Sequence, residues 1–544
     1  MRYSRRLGLI VASVALLTPA AASEGVPTSP NVPVLRVFIP GLFAGCSTTS
    51  PGASEALKDV LSLVRPSAFT VNPVGRLVGA GGPVVSAELV SDEPQTVVVT
   101  VDPRYTWSNG MPFTVEDLIR RIQIGQSSTA AWADGFHRIA SYKIGTTRKT
   151  LRIVFAEKYA SWPNMFQGLE QITTTANCNL ADVAQRPSLG PYLLESLNST
   201  QAVLVANPQF RIRAQQFRTV IVTAGQAPSA TVGRPIVDYR YSFSGMDVTW
   251  LASLPGRSGK IAPSQRIVAV TFSPRSNVTQ DASVREALSL SIDRYGLINS
   301  VFGSISQSIS PSTSAFLAQG QTGYSVMAGS APFQAAASTT TTVPISGQRR
   351  GTHGFECVAC GTDLSSSSVA FSNGVLLWQG APITLRLASG PSEAAQKVAI
   401  QVAKTWQRIG VRTRIIPVNS DRSASQAVAG GVVDAAVTAT PTGFIGSVAT
   451  SWYGPRRRDT VDFGWRSPVC EAAAVSAERN FNATTALDSW AECDKEIASQ
   501  YWQRPIVSLP YLLQWTNTVV GVTPSNTTRG FIDQIPLWSS LQRR

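Results

Sequence analysis

The sequence predicts an α/β fold, on three observations. Residues 383–416 read as strand, helix, strand, which is a crossover of the parallel kind. Residues 96–117 read as strand, turn, helix, and the stretch opening at Ser283 repeats its apolar residues at helical spacing.

Taken in order, the chain opens with Arg2, Arg5 and Arg6, an apolar run from Leu7 to Leu17, and Ala20-Ala21-Ala22. That is the layout of an export signal, so residues 1–22 are set apart from the fold. Val34 to Ile39 is the first strand. Thr96 to Asp102 is a β-branched run of strand type, followed by the turn Ser108-Asn109-Gly110 and by Thr114, a hydroxyl N-cap with Asp117 three residues on. In the helix that follows, Val115, Leu118, Ile119 and Ile122 face inward, leaving Arg120 and Arg121 to solvent. A second helix is expected from Ser283, with Glu286 as capping partner and a stripe of Val284, Ala287, Leu288, Ser291, Ile292 and Tyr295, ending near Gly303.

Between about 304 and 380 periodicity gives way to Ser, Thr, Ala and Gly, which predicts a loop-rich insertion. After it Ile383 to Leu387 alternates as a strand does. Ser392 caps a helix whose Ala395, Val398, Ala399, Val402, Trp406 and Ile409 share a face, and Gly410 closes it. Val411, Thr413 and Ile415 then alternate with Arg412 and Arg414. Arg456-Arg457-Arg458 is read as a solvated charge run.

The 544 residues suffice for several cores; 43% are hydrophobic and only 15% charged, which excludes a chain kept unfolded by charge. The formal charge is +14, or +11 without the three N-terminal arginines. Charge alone does not make a nucleic-acid binder, because no strand interleaves aromatic and basic residues. After the leader no stretch approaches the roughly 18 apolar residues of a membrane span, so a protein exported to the periplasm or cell envelope and not integral to the membrane is expected.

Six cysteines (Cys46, Cys178, Cys357, Cys360, Cys470, Cys493) in an exported chain favour disulfides, with fifteen connectivities open. Local pairing joins Cys357 to Cys360 and Cys470 to Cys493, leaving Cys46 with Cys178. His353 beside Cys357 and Cys360 falls short of the four ligands of a structural zinc site, and the other histidine is His137. No metal and no cofactor are expected. Two histidines leave little room for a His-based triad, and the sequence contains no G-x-S-x-G, H-E-x-x-H or phosphate-loop motif, so the reading is not an enzyme.

Four landmarks in sequence carry a resemblance. They are Tyr105-Thr-Trp107-Ser-Asn-Gly110-Met-Pro112-Phe-Thr114-Val-Glu-Asp117; Leu189-Gly190-Pro191-Tyr192 with Asn207-Pro208-Gln209-Phe210; Asp281 to Arg294; and Ile409-Gly410-Val411 with Val433-Asp434-Ala435. Together they resemble the family 5 extracellular solute-binding proteins of bacterial ABC importers, the group of dipeptide, oligopeptide and nickel receptors. The resemblance implies a two-lobed periplasmic-binding-protein-like fold (type II, cluster C) that closes on its ligand by hinge motion, with an extra small domain on lobe one. It places lobe one at 33–62, 187–268 and 506–544, the small domain at 63–186 and lobe two at 269–505. It also implies that Arg285 and Arg294 make ion pairs that hold their helix.

The function this implies is capture of an oligopeptide-like solute in the interlobe cleft by a monomer, and delivery to permease subunits in the membrane. An envelope protein of the same fold used for adhesion, sensing or chaperoning is the alternative, and a metal-chelate or haem receptor a further one. In the family's peptide receptors an Asp from the loop here written Thr440-Pro441-Thr442-Gly443-Phe444 meets the peptide's α-ammonium group; this loop has no carboxylate. Candidate cleft residues by position are Thr440, Thr442, Phe444, Trp452, Tyr453, Tyr511, Gln514 and Trp515.

Overall fold

A computed structural model of the chain describes residues 33–48, 53–71, 77–78, 82–128, 133–171, 179–225, 239–242, 256–321, 323–324, 368–441, 464–523 and 532–540. The N-terminal leader, Thr442, Phe444, Trp452, Tyr453, Arg456 to Arg458, Cys178, Cys357 and Cys360 lie outside them.

Ten strands form one mixed sheet through the molecule. Across it the order is Arg412–Pro417, Thr384–Ser389, Ala435–Pro441, Arg257–Phe272, Gln503–Thr516, Tyr239–Ser242, Val34–Pro40, Thr219–Gly225, Gln201–Ala206 and Tyr192–Leu197. The two central strands, of 16 and 14 residues, are antiparallel and long enough to belong to two cores in succession. Ala262, Tyr511 and Leu513 pack with Leu35, Val37, Ile39 and the helix Glu55–Val64, which is lobe one. Val268, Val270, Phe272, Ile506, Val507 and Leu509 pack with the helices of lobe two. The two cores interleave at the crossing: Leu512 and, opposite it, Ile261 pack with the lobe-two core, while the adjoining Tyr511 and Ala262 pack with that of lobe one. The ladder shifts register between Pro263 and Ile267, and the opposed Pro263 and Pro510 have no backbone N–H to donate. Ser264 donates its hydroxyl to the Leu509 carbonyl there.

Lobe two carries helices on both faces of its strands, and the period of two in a strand decides which residue meets which layer. Leu387, Ala435 and Val437 join the core under the helix Glu393–Arg408, while Ala388 and Ala436 face the opposite layer with Phe316 and Trp490. The expected crossover is present: Thr384–Ser389 and Arg412–Pro417 are parallel, Ser392 caps the helix by accepting from the Ala395 amide, and Gly410 follows it with φ +76°.

A third core between Ala68 and Leu189 holds a four-stranded antiparallel sheet ordered Val84–Asp92, Gln95–Val101, Thr150–Phe155, Ile139–Ile144. Beside it runs the helix Val115–Ser127, whose capping box joins Thr114 and Asp117 as expected. The buried Glu170 carboxylate is 2.9 Å from Arg65 and 3.3 Å from Arg186, and Arg121 lies close enough to feel its charge.

Four sequence expectations change. Arg121 is buried and donates to the Met165 and Gln167 carbonyls, because this face of the helix packs against the segment Met165 to Gly168 of its own domain rather than water. The helix from Ser283 is two helices, Ala282–Leu290 and Arg294–Phe302. Asp281 caps the first and Asp293 the second, so Tyr295 turns outward and is 59% exposed. Arg285 is held by the carbonyls of Thr279, Gln280 and Gln500 and lies over the Trp502 ring, and Arg294 donates to the Ser312 and Pro505 carbonyls, so backbone oxygens take a large part in holding both. Parts of 304–380 are ordered elements and core rather than loop. Phe316 and Leu317 are buried near Trp490, and Val369–Ser372 pairs with Val375–Trp378 through Asn373-Gly374, both at positive φ as a type I′ turn requires.

Candidate ligand cleft

In an open α/β sheet the carboxyl ends of parallel strands, where helices begin, form the natural binding edge. Here both lobes aim those ends at the crossing of the two long strands. In lobe two Arg266 is opposite Pro441, the last residue of its strand. In lobe one Ser242, at the end of its strand, is opposite Leu512.

Helix starts bring charge to these edges. Ser54 caps the helix Glu55–Val64 by accepting from the Leu57 amide, which leaves Glu55 at the first position. Ser420 does the same for Asp421–Gly430, accepting from the Ser423 amide. Glu55 meets Lys58 at 2.9 Å and Arg266 at 3.7 Å, and Arg266 also donates to the Ala439 carbonyl at 3.2 Å. One guanidinium therefore touches the first helix of lobe one and a strand of lobe two.

Asp421 accepts weakly from the Ala439 amide at 3.3 Å, and Gly390 leaves it room, since a Cβ there would lie 2.3 Å from the carboxylate. Burial between the lobes raises the Asp421 pKa to about 6, against the lowering pull of Arg266 and the Ala439 amide, with Glu55 adding to the rise. Burial also pushes Glu55 upward, but Lys58 and Arg266 outweigh it and hold that carboxylate below its ordinary range. The Tyr511 hydroxyl is pushed up by burial and then by the charge of Asp59 and Glu55. The crossing thus brings together a cation that touches both lobes, a carboxylate paired to it, and a carboxyl raised to about 6.

Of the positions expected from sequence, Tyr511 and Thr440 lie at this crossing. Thr440 is half-buried beside Thr438, their hydroxyls 3.2 Å apart, and opposite Ile267. Gln514 and Trp515 are three and four residues farther into lobe one, opposite Gly259 and Ser258; Gln514 is buried and Trp515 packs on the lobe-one core. Thr442, Phe444, Trp452 and Tyr453 fall outside the described residues. Glu55, Lys58, Arg266 and Asp421 were missed, although Ser54-Glu55 and Ser420-Asp421 each spell a helix start, the second directly after a parallel strand. Cys470 and Cys493 are bonded to each other, joining the helices Pro468–Arg479 and Ala483–Ser499. Cys46 is also in a disulfide, its partner outside the described residues.

The family described as bacterial extracellular solute-binding proteins, family 5 (middle), matches residues 83–454. The oligopeptide-binding protein OppA of Mycobacterium tuberculosis, like that of Mycobacterium bovis, is 26% identical over 291 residues, which are 50% of this chain and 49% of the relative. The chain thus aligns with about half the length of these curated relatives. Among solved structures, the periplasmic EDTA-binding protein EppA superposes with a TM-score of 0.75 at 19% identity, covering 94% of this chain and 96% of that one. NikZ from Campylobacter jejuni in complex with Ni(L-His) gives 0.74 at 13% identity over 93% and 99% of the two chains. AppA from Bacillus subtilis in complex with a nonapeptide gives 0.70 at 10% identity over 94% and 100%. These likenesses carry the two-lobed fold. Among the described residues no helix is long and apolar enough to cross a membrane.

Proposed function

The chain belongs to the bacterial extracellular solute-binding proteins of family 5, and from that membership we propose that it captures a short peptide outside the cytoplasm and delivers it to an ABC permease. The observation that carries the reading is the convergence of both lobes' strand ends on Arg266, Glu55 and Asp421. The loop from Thr440 lacks the carboxylate that the family resemblance leads one to expect, and Asp421 supplies one at the same edge of lobe two. A free α-ammonium entering the closed cleft needs such a partner, since a buried cation without one is strongly disfavoured. The lobe-to-lobe arginine and its flanking carbonyls suit the peptide main chain.

A bound ammonium favours ionised Asp421. Affinity for peptides with a free N-terminus therefore rises as pH goes from 5 to 7, by about tenfold if Asp421 alone governs it. Calorimetry with di- to pentapeptide pools at both pH values, on wild type and Asp421→Asn, tests this. Equal binding of N-acetylated peptides, or an unchanged pH dependence in Asp421→Asn, refutes the role of Asp421. The second reading is a carboxylate-rich metal chelate, favoured by the cations Arg266 and Lys58. Binding of nickel–histidine or an EDTA complex in place of all peptides selects it.

A further inference from the structure

The end of lobe two farthest from the cleft carries a row of arginines that the binding reading does not use. On the outermost strands Arg412 and Arg414 stand opposite Thr384 and Arg386 in parallel register, so these side chains share one face of the sheet. Farther along, that face is covered: Ala388 and Ile416, two residues on from Arg386 and Arg414, pack with Ala424 and Val428 of the helix Asp421–Gly430. The helix stops at Gly431, left-handed at φ +75°, and past its end the strands present arginine to solvent. Arg386 donates to the Gly431 carbonyl at 3.2 Å, and Arg275 abuts the same glycine, its Cβ 3.0 Å from where a side chain at Gly431 would begin. Val432, the next residue, is 63% exposed. From Arg266 at the cleft edge to Phe272 at this end the ladder runs six residues, or about 20 Å.

Arg275, Arg412 and Arg414 are exposed and have no ion-pair partner among the described residues. Asp434, buried beneath them, is committed to Arg386 at 3.0 Å and to the Ser276 hydroxyl at 2.7 Å. Protection of a sheet edge accounts for charge at Arg412 and Arg414, since their strand is the last of the ten. It does not account for Arg275, which follows the end of a central strand, nor for an exposed apolar side chain set among arginines. Guanidinium forks around an apolar tip suit a surface that has phosphate outside and hydrocarbon beneath.

We propose that this end of lobe two docks on an anionic lipid surface, with Arg275, Arg412 and Arg414 meeting headgroup phosphates and Val432 entering the interface between them. The inference takes from the proposed function only a place of action beside a membrane and is independent of which solute the cleft takes. Because the row lies at the opposite end of the strands from Arg266, docking leaves the cleft edge uncovered.

The test is flotation of the mature, disulfide-intact protein with vesicles of phosphatidylglycerol and phosphatidylcholine, against vesicles of phosphatidylcholine alone. Binding is expected to the anionic vesicles only, and to weaken as sodium chloride is raised. Arg412→Gln with Arg414→Gln lowers partitioning about tenfold or more. Arg211→Gln with Arg213→Gln removes the same charge from exposed positions between Gln201–Ala206 and Thr219–Gly225, at the other end of the sheet, and leaves partitioning within about twofold, because charges so distant are screened. Val432→Ser lowers partitioning without altering its salt dependence. Unfolding midpoints matching wild type show that each variant is folded. Equal binding to both kinds of vesicle, equal losses in the two arginine pairs, or absence of vesicle binding in a protein that soluble polyphosphate still binds overturns the proposal, the last in favour of a soluble polyanion. Peptide binding is measured separately on the same protein, so failure here and failure of the solute reading are distinguishable.

Discussion

Asp494 gives the sharpest stability prediction. Its side chain is 2% exposed; Oδ1 accepts from the Ala315 amide at 2.9 Å, and Oδ2 has no partner. Burial pushes its pKa up to about 7, against the lowering effect of the Ala315 amide and the Ser314 hydroxyl. The unfolded chain ionises the same group near 3.9, so between those values the folded state holds a proton that the unfolded state has lost. Stability therefore falls as pH rises through this window. The cost is absent below about pH 4, complete above about pH 7, and reaches roughly 4 kcal/mol at about 1.4 kcal/mol per pH unit. Asp494→Asn keeps the Oδ1 acceptor and removes the charge. Urea unfolding followed by tryptophan fluorescence from pH 4.5 to 8 should show the variant gaining on wild type steadily across that range. Two pH profiles that run parallel within about 0.5 kcal/mol would show that Asp494 ionises without penalty and refute the reasoning.

Three further outcomes follow from named contacts. Glu170→Gln leaves Arg65 and Arg186 buried without their shared carboxylate and should cost about 3–5 kcal/mol, read as a lowered unfolding midpoint with faster hydrogen exchange in the helix Val115–Ser127. Replacing Cys470 and Cys493 by alanine together opens a loop spanning 23 positions and should cost about 3 kcal/mol in the chain-entropy account, measurable by the same unfolding; a loss below about 1 kcal/mol would mean that helix packing holds this region alone. Glu478→Gln breaks the 2.8 Å pair with Arg138, but Asp134 and Glu157 still face that arginine; about 1–2 kcal/mol should go, and small-angle scattering of the unliganded protein should show a larger radius of gyration.

Legibility in the sequence followed the range of the interaction. The crossover at 384–417 and the capping box at Thr114 are set by residues within a few positions of one another, and both could be read directly. Arg121 could not, because its partners, the Met165 and Gln167 carbonyls, are more than forty residues away. The break at Ser291 to Asp293 was misread for a different reason: apolar spacing runs on through it, and Asp293 acts as a cap only because its side chain turns back to the Gly296 amide. The hairpin at Asn373-Gly374 carried a turn signal that the surrounding Ser and Thr obscured. In the cleft, aromatic residues drew attention by type, whereas the charges there sit at helix starts and acquire meaning only when Arg266 meets Glu55 across 211 positions of sequence.

The lobes are joined by two links of different physical kind, and the difference bears on how closure responds to a solute. At the crossing the chain is continuous, and the ladder is weakened where Pro263 faces Pro510, so bending there disturbs few hydrogen bonds. On the small domain the link is a docking contact: Arg138 pairs with Glu478, the Ala160 amide donates to the Glu478 carbonyl at 2.5 Å, and Phe481 packs on the small-domain core. A bend permits motion but selects no end point, whereas a contact that can be made or lost sets an energy difference between arrangements. Under the proposed function a solute held by Arg266 and Asp421 would act on the first link. The small domain, through Arg138, acts on the second, so on that reading it would help set how much binding free energy closure requires.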